Sequence, residues 1–188
     1  MPALDHPELD RPELDPTLAD LAAAFGIATE YWDWQGRHIW VSRDSIVAVL
    51  AALDIDAATS EAAAAALANH HRWPWTQMLP PCMVIRERRT ASVWVHVPHG
   101  EPVTVWTEFE TGGTRDQLAQ LKNWTPPRLI DPGLVGEATF EIPADLPLGY
   151  HTLRAASLAR QASMPLIITP QWVGSPERMG QRRGWGFG

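Results

Sequence analysis

The chain has 188 residues, enough for one ordinary domain or two small ones, and its 45% hydrophobic residues predict a buried core. A formal net charge of −7 argues against a nucleic-acid partner, and no apolar run approaches the roughly 18 residues of a membrane span. Seventeen prolines disfavour a helical bundle, and the single cysteine, Cys82, excludes an internal disulfide.

The N-terminal residues 1–14 read MPALDHPELDRPEL, an acidic and proline-rich segment in which a Pro-Glu-Leu motif recurs. Such a low-complexity terminus predicts a disordered leader. The segment has neither the basic start nor the apolar stretch of a signal peptide. We therefore expect a cytoplasmic protein.

Residues 15–79 predict a small helical subdomain. Asp15 is a capping residue, Pro16 suits the first helical position, and Gly26 supplies the left-handed stop of a first helix. Ser42 caps a predicted second helix, which carries apolar residues at helical spacing. An alanine-rich stretch further along predicts a third helix that is strong in propensity but poor in apolar bulk.

A short aromatic hairpin is predicted within this subdomain, because residues 30–41 alternate around a Gln-Gly pair. Each tryptophan can cover roughly 150–250 Å² of surface. Since the predicted helices supply little apolar bulk, we interpret Trp32, Trp34 and Trp40 mainly as packing residues. The alternative is that at least one of these rings stacks on a sugar.

Residues 80–170 predict an immunoglobulin-like antiparallel β-sandwich, so the fold class is mainly β. Short β runs recur at regular spacing and are separated by turn-forming segments. The runs cover residues 82–87, 92–97, 102–110, 115–122, 135–142, 149–156 and 163–169. Tyr150 follows a proline-rich turn and predicts a tyrosine corner, whose hydroxyl bonds to backbone within residues 143–147. Residues 171–188 are interpreted as a linker.

The first β-hairpin of the sandwich carries two outward tryptophans. Alternating valines must share one face, and the simplest register pairs Val97 with Val103. That register places Trp94 opposite Trp106, with the rings close enough to touch. Such an exposed apolar pair usually meets a partner. We expect the partner to be another part of the same polypeptide, with a glucan as the alternative.

No constellation of catalytic residues is found, and no cofactor or metal site is predicted. The histidine clusters, His70-His71 and His96 with His99, have no carboxylate or cysteine at metal-ligand spacing and are interpreted as surface or loop residues. Residues 18–28, LADLAAAFGIA, have the cadence of a helix-turn-helix. The segment that follows is aromatic and strand-like rather than a basic recognition helix, so DNA binding is a lesser alternative.

The segment LAAAFGIATEYWDWQGRHIWVSRDSIVAVLAALDID resembles the opening of bacterial amylomaltases, the 4-alpha-glucanotransferases of glycoside hydrolase family 77, in their long actinobacterial form. The resemblance extends over nearly the whole chain after residue 15. Its residues are Gly26-Ile27, Tyr31, Asp33 to Gly36, Val41-Ser42, Leu50 to Leu53, Leu79 to Pro81, Leu146 to Leu153, and Arg182 to Phe187.

The resemblance implies a role without catalysis. Members of that family are retaining enzymes whose two carboxylates lie on a (β/α)₈ barrel, which alone takes about 250 residues. We therefore expect a non-catalytic N-terminal region whose partners are the catalytic barrel of the same polypeptide and α-1,4-glucans. Trp94, Trp106, Trp32 and Trp34 are the candidate contacts. The rival interpretations are a free-standing carbohydrate-binding module and a docking domain without a ligand.

Overall fold

The structure, a computed structural model, describes residues 14–158 and 160–174. The chain divides into two compact units, Met1–Trp73 and Pro74–Gly188. The predicted leader, apart from Leu14, and the predicted linker beyond Gly174 lie outside the described residues.

The first unit is helical, with α1 at Pro16–Ala24, α2 at Arg43–Ala52 and α3 at Ser60–Thr76, within which the division between the units falls. The predicted caps are confirmed. The Asp15 carboxylate accepts a hydrogen bond from the Thr17 N–H, and the Ser42 hydroxyl accepts one from the Ser45 N–H. Gly26 ends α1 with a φ of 68°. The core of the unit is small and aliphatic, consisting of Leu18, Leu21, Ala22, Ile46, Leu50, Ala57 and Ala63.

The predicted hairpin stands between α1 and α2. Its strands, β1 at Glu30–Trp32 and β2 at His38–Trp40, are antiparallel, and Tyr31 lies opposite Ile39. A strand therefore follows the turn after α1, where a helix-turn-helix requires its recognition helix.

The second unit is a sandwich of two sheets. Its strands are β3 Met83–Arg86, β4 Ala91–Pro98, β5 Thr104–Glu108, β6 Thr114–Arg115, β7 Gln120–Leu121, β8 Arg128–Ile130, β9 Gly133–Ile142, β10 Gly149–Ala156 and β11 Gln161–Thr169. One sheet has the order β3-β11-β10-β5-β6, and the other has the order β4-β9-β7 with β8 also paired to β9. The mainly β class is confirmed. All the pairs are antiparallel except β3 with β11, which is parallel.

The core of the second unit follows from strict alternation along the long strands. Val93, Val95 and Val97 of β4 are buried, as are Val105 of β5 and Leu153 of β10. Because successive side chains in a strand point to opposite faces, the residues between them lie on the outer faces of the sheets. The sandwich therefore has one continuous apolar interior.

The predicted register of the first hairpin is wrong. β4 pairs with β9 and β5 pairs with β10, so Trp94 lies opposite Thr139 and Trp106 opposite Arg154, in different sheets. Buried valines on β4 and β5 can meet across the core as well as side by side, and alternation alone cannot tell these arrangements apart. The two tryptophans therefore form no common patch.

The predicted tyrosine corner is also wrong, because it is displaced by one residue. Tyr150 is 71% exposed, and its neighbour His151 is buried instead. The Nε2 atom of His151 donates to the Pro147 carbonyl at 2.8 Å, and its Nδ1 atom accepts from the Glu110 N–H at 3.3 Å. The inward positions of β10 are His151, Leu153 and Ala155, so the period-two pattern turns Tyr150 outward.

Candidate docking and ligand surfaces

The hairpin of the first unit presents aromatic rings to solvent. We call Tyr31, Trp32 and Trp34 the aromatic hairpin; Trp32 is 70% exposed, Trp34 is 89% exposed, and Tyr31 is also exposed. The interpretation of Trp32 and Trp34 as core-packing residues is therefore wrong, while Trp40 is half-buried. The aliphatic side chains of α1 and α2 fill the core of this unit without the two exposed indoles.

The turn of the aromatic hairpin is locked by one carboxylate. Asp33 Oδ1 accepts from the backbone N–H groups of Gln35 and Arg37, at 2.9 and 2.8 Å. Its Oδ2 atom pairs with the Arg37 Nε atom at 2.7 Å. The Arg37 backbone N–H, together with the other hydrogen bonds from Arg37 and Gln35, outweighs partial desolvation and lowers the pKa of Asp33. The exposed rings are thus carried on a pre-organised turn.

The Trp32 ring also packs against a neighbouring side chain of the hairpin. The Trp32 indole stacks on the His38 imidazole at a centroid distance of 4.8 Å, and His38 meets the edge of Trp40 at 4.4 Å. The Nε2 atom of His38 lies 3.3 Å from the Glu30 carboxylate. One face of Trp32 therefore packs on His38, and the other face is open to solvent.

In the second unit, the outer face of β4 carries a buried stack of rings. His96 is only 1% exposed and lies between Trp75 and Trp94, at centroid distances of 4.4 and 4.3 Å. The Arg128 guanidinium lies over the other face of Trp75, at 4.6 Å. We call Trp75, His96 and Trp94 the imidazole stack. The interpretation of His96 as a surface or loop residue is wrong.

The hydrogen bonds of His96 fix the orientation of its ring. Its Nδ1 atom faces the Pro74 carbonyl at 2.9 Å, and its Nε2 atom faces the Glu137 carboxylate at 3.1 Å. Both ring nitrogens therefore lie within hydrogen-bond distance of an acceptor oxygen. The indole on each face adds aromatic stacking to these contacts.

Glu137 is fixed in turn by its own neighbours. Burial alone would raise the pKa of Glu137, but hydrogen bonds from Asn123, Thr125 and His96 outweigh this effect and lower it. The carboxylate is therefore kept ionised beside the His96 ring. Sequence reasoning missed this pair, although the cross-strand position of His96 and Glu137 follows once β4 is aligned with β9.

Trp106 has a different environment from Trp94. It is half-buried on β5, and its Nε1 atom donates to the Glu108 carboxylate at 3.4 Å. The same carboxylate pairs with the Arg154 guanidinium at 2.8 Å, and this contact is the main cause of the lowered pKa of Glu108. The four predicted contact tryptophans therefore lie in three separate places: the aromatic hairpin, the imidazole stack and the outer face of β5.

A groove of about 600 Å³ opens in the first unit. One side is the face of α3 that carries Ala62, Ala65, Ala66, Asn69, His70 and Trp73, and the other side is formed by Phe25 and residues 54–56. We call it the alanine groove. The alanine side chains are small, and this leaves the volume of the groove open. The Phe25 ring packs on His70 at a centroid distance of 4.7 Å.

Two classes of site are absent from the part of the chain that the structure describes. None of its helices combines the length and apolar composition needed to cross a bilayer. No group of three or more His, Cys, Asp or Glu side chains in residues 14–158 and 160–174 is arranged to hold a metal ion.

Comparison with known proteins confirms the resemblance drawn from the sequence. Residues 78–170 match the family described as the MalQ N-terminal beta sandwich domain. The 4-alpha-glucanotransferases of Mycobacterium bovis and Mycobacterium tuberculosis are 45% identical over 172 residues, which are 92% of this chain and 24% of each relative. The chain thus spans about a quarter of the length of the curated relatives it matches.

A solved structure supports the same resemblance. The crystal structure of amylomaltase from Corynebacterium glutamicum superposes with a TM-score of 0.78 at 43% sequence identity. The superposition covers 82% of this chain and 22% of that protein. The described helices and sheets therefore have a counterpart in a larger solved enzyme.

Proposed function

Since residues 78–170 belong to the family of MalQ N-terminal beta sandwich domains, we propose that this chain is the non-catalytic N-terminal region of a cytoplasmic 4-alpha-glucanotransferase. In this proposal, it packs beside the catalytic barrel of the same polypeptide and assists the binding of α-1,4-glucans. One observation carries the proposal: almost all of this chain matches enzymes that bear that name, yet it accounts for only 24% of their length.

The organisation proposed from the sequence has two functional parts, a helical subdomain at residues 15–79 and a sandwich at residues 80–170. We assign docking to the helical part, through the aromatic hairpin. Two exposed indoles on a locked turn form an apolar surface whose burial costs little conformational entropy, because the turn and Trp32 are already fixed. Tryptophan is also among the residues that are enriched at the energetic hot spots of protein interfaces.

The test is docking in two pieces. The 188-residue chain and the separately expressed catalytic region of the parent enzyme are mixed, and their association is measured by analytical ultracentrifugation. The double variant Trp32→Ala with Trp34→Ala should weaken association at least tenfold. Trp124→Ala is the matched control, because Trp124 is equally exposed at 89% but belongs to the second unit.

Equal association of the double variant and the wild type would contradict docking through the aromatic hairpin. Activity supplies an independent check on the same proposal. The isolated chain should transfer no glucose from maltotriose, and measurable disproportionation by the pure chain would contradict the assignment as a non-catalytic region.

A free-standing carbohydrate-binding module is the second candidate. The exposed, oriented face of Trp32 favours it, because indole faces stack on the apolar faces of sugar rings. Such a module would bind glucans through Trp32 and show no affinity for a catalytic barrel. The two-piece experiment therefore separates the two functions.

A further inference from the structure

The alanine groove is built from one face of a single helix. Ala62, Ala65, Ala66, Asn69 and Trp73 are spaced so that they align along α3. The alanines contribute only small side chains to the lining, and Phe25 lines the groove beside His70. A volume of about 600 Å³ falls within the range of small-molecule sites.

The polar groups on the rim restrict what can occupy the groove. Asp54 and Asp56 line one wall, and Asn69 and His70 line the other. The carboxylates disfavour phosphorylated or otherwise anionic ligands. The carboxylate of Asp54 and the amide of Asn69 have no hydrogen-bond partner among the described residues, so both can bind hydroxyl groups of a ligand.

Aromatic walls, carboxylates and an amide suit a neutral ligand with apolar faces and a rim of hydroxyl groups. A sugar ring has this form, since its C–H faces pack on aromatic rings while its hydroxyl groups bond in the ring plane. An aliphatic side chain from a partner would offer Asp54 and Asn69 no hydrogen-bond partner, so burying them under it would cost free energy.

The backbone at Asp54 supplies a further observation. Both α1 and α2 end in the same hydrogen-bond pattern, in which the Ile27 N–H donates to the Ala22 carbonyl and the Ile55 N–H to the Leu50 carbonyl. The left-handed residue is glycine in α1, at Gly26, but in α2 it is Asp54, with a φ of 61°. Glycine is the residue this position favours, so the aspartate occupies it at a cost in stability.

From these observations, we infer that the alanine groove is a binding site for an α-1,4-linked glucan, separate from the aromatic hairpin. Phe25 and Trp73 line the groove with aromatic rings, and Asp54 and Asn69 bind the hydroxyl groups. The choice of an α-linked glucan over other neutral sugars rests on the proposed function, while the sugar chemistry rests on the groove itself.

The test is titration of the 188-residue chain with maltoheptaose, followed by the NMR signals of the Asn69 side-chain amide and by calorimetry. Ala65→Leu fills the groove, because Ala65 lines it and is exposed. Ala64→Leu is the matched control, since Ala64 is exposed on the same helix outside the groove. We expect Ala65→Leu to lose at least tenfold in affinity and Ala64→Leu to bind as the wild type does.

Asp54→Gly separates a binding role from a structural one. Glycine relieves the left-handed conformation, so the melting temperature should rise. The same substitution removes a hydroxyl-binding carboxylate, so maltoheptaose affinity should fall at least fivefold. A gain in stability together with a loss of binding is not expected of a purely structural residue. Cellohexaose, which is β-linked, serves as the control ligand and should bind more weakly.

Several outcomes would overturn the inference. These are wild-type affinity in both Ala65→Leu and Asp54→Gly, an Asn69 amide that stays unshifted at saturating maltoheptaose, or shifts confined to the indoles of Trp32 and Trp34. None of these results bears on docking, which is measured by association with the catalytic region. If the chain failed to associate with the catalytic region but maltoheptaose still shifted the Asn69 amide signal, the proposed function would be contradicted. The groove would then remain a glucan site.

Discussion

The two units of this chain use the same side chain in opposite ways. In the helical unit, Trp32 and Trp34 lie exposed on a locked turn, whereas in the sandwich unit Trp75 and Trp94 enclose a buried imidazole ring. The difference lies in the polar partner. The His96 ring has an acceptor at each nitrogen and packs against two indoles, whereas the His38 ring stacks on only one of the two exposed hairpin indoles, Trp32. Tryptophan content therefore does not indicate function until the neighbours of each ring are known.

The largest loss of stability is expected at the buried tryptophans of the sandwich unit. Trp75→Ala should destabilise the chain by about 3–5 kcal/mol, because it opens a cavity over His96 and removes one face of the imidazole stack. Trp34→Ala should change the free energy of unfolding by less than about 0.5 kcal/mol. Urea denaturation followed by circular dichroism measures both. Similar values for the two variants would show that the tryptophans are not divided as described.

A smaller effect concerns the Glu137 carboxylate. Glu137→Gln should cost about 1–3 kcal/mol at neutral pH, since the amide replaces a carboxylate that takes part in hydrogen bonds with Asn123, Thr125 and His96. The folded pKa of Glu137 lies below its ordinary value of 4.5, so its contribution is complete above that value and is lost as the pH falls through the folded pKa. The variant should therefore lose less stability on acidification than the wild type. Parallel pH profiles for the two proteins would contradict this assignment.

A further prediction concerns the turn that positions His151. Gly149 has a φ of 144°, and a Cβ atom there would lie 2.7 Å from the Glu110 carboxylate and 3.1 Å from the His151 ring. Gly149→Ala should cost about 1–3 kcal/mol, because the alanine would strain the backbone and its Cβ atom would displace the Glu110 carboxylate. Gly100→Ala is the control, because Gly100 has a positive φ but open space around it. Thermal unfolding of both variants separates the cost of backbone strain from the cost of the close contacts around Cβ. An equal loss of stability in the two variants would show that the close contacts at residue 149 cost nothing.

The smallest expected effect lies next to that turn. Tyr150→Phe should leave the unfolding midpoint unchanged within about 0.5 kcal/mol, because the Tyr150 ring is exposed. His151→Phe removes the hydrogen bonds to the Pro147 carbonyl and the Glu110 N–H, and should cost more. A larger loss of unfolding free energy for Tyr150→Phe than for His151→Phe would contradict the assignment of the buried hydrogen bonds to His151.

Local signals in the sequence predicted much of the fold. Asp15, Ser42 and Gly26 mark helix ends through chemistry that acts within a few residues. The alternation of Val93, Val95 and Val97 predicted which face of β4 is buried. Each of these features depends on the periodicity of one element or on one cap, so no distant contact is needed to recognise it.

The remaining features depend on contacts between distant positions. Alternation left the partner of β4 open, so the cross-strand pair of His96 and Glu137 could not be foreseen from spacing. The burial of His96 needs a carbonyl 22 residues away and a carboxylate 41 residues away. The exposure of Trp32 and Trp34 depended on whether the aliphatic side chains of α1 and α2 fill their own core, which composition does not reveal.

We propose that the aromatic hairpin is the surface that contacts the catalytic barrel, while the imidazole stack has a structural role. Hydroxyl-radical footprinting with mass spectrometry tests it by measuring the oxidation rate of each tryptophan, with and without the catalytic region. Trp32 and Trp34 should oxidise rapidly in the isolated chain and become protected in the complex, whereas Trp75 should react slowly in both. Oxidation of Trp32 and Trp34 at equal rates in the free and mixed samples, under conditions where the two pieces associate, would contradict the claim.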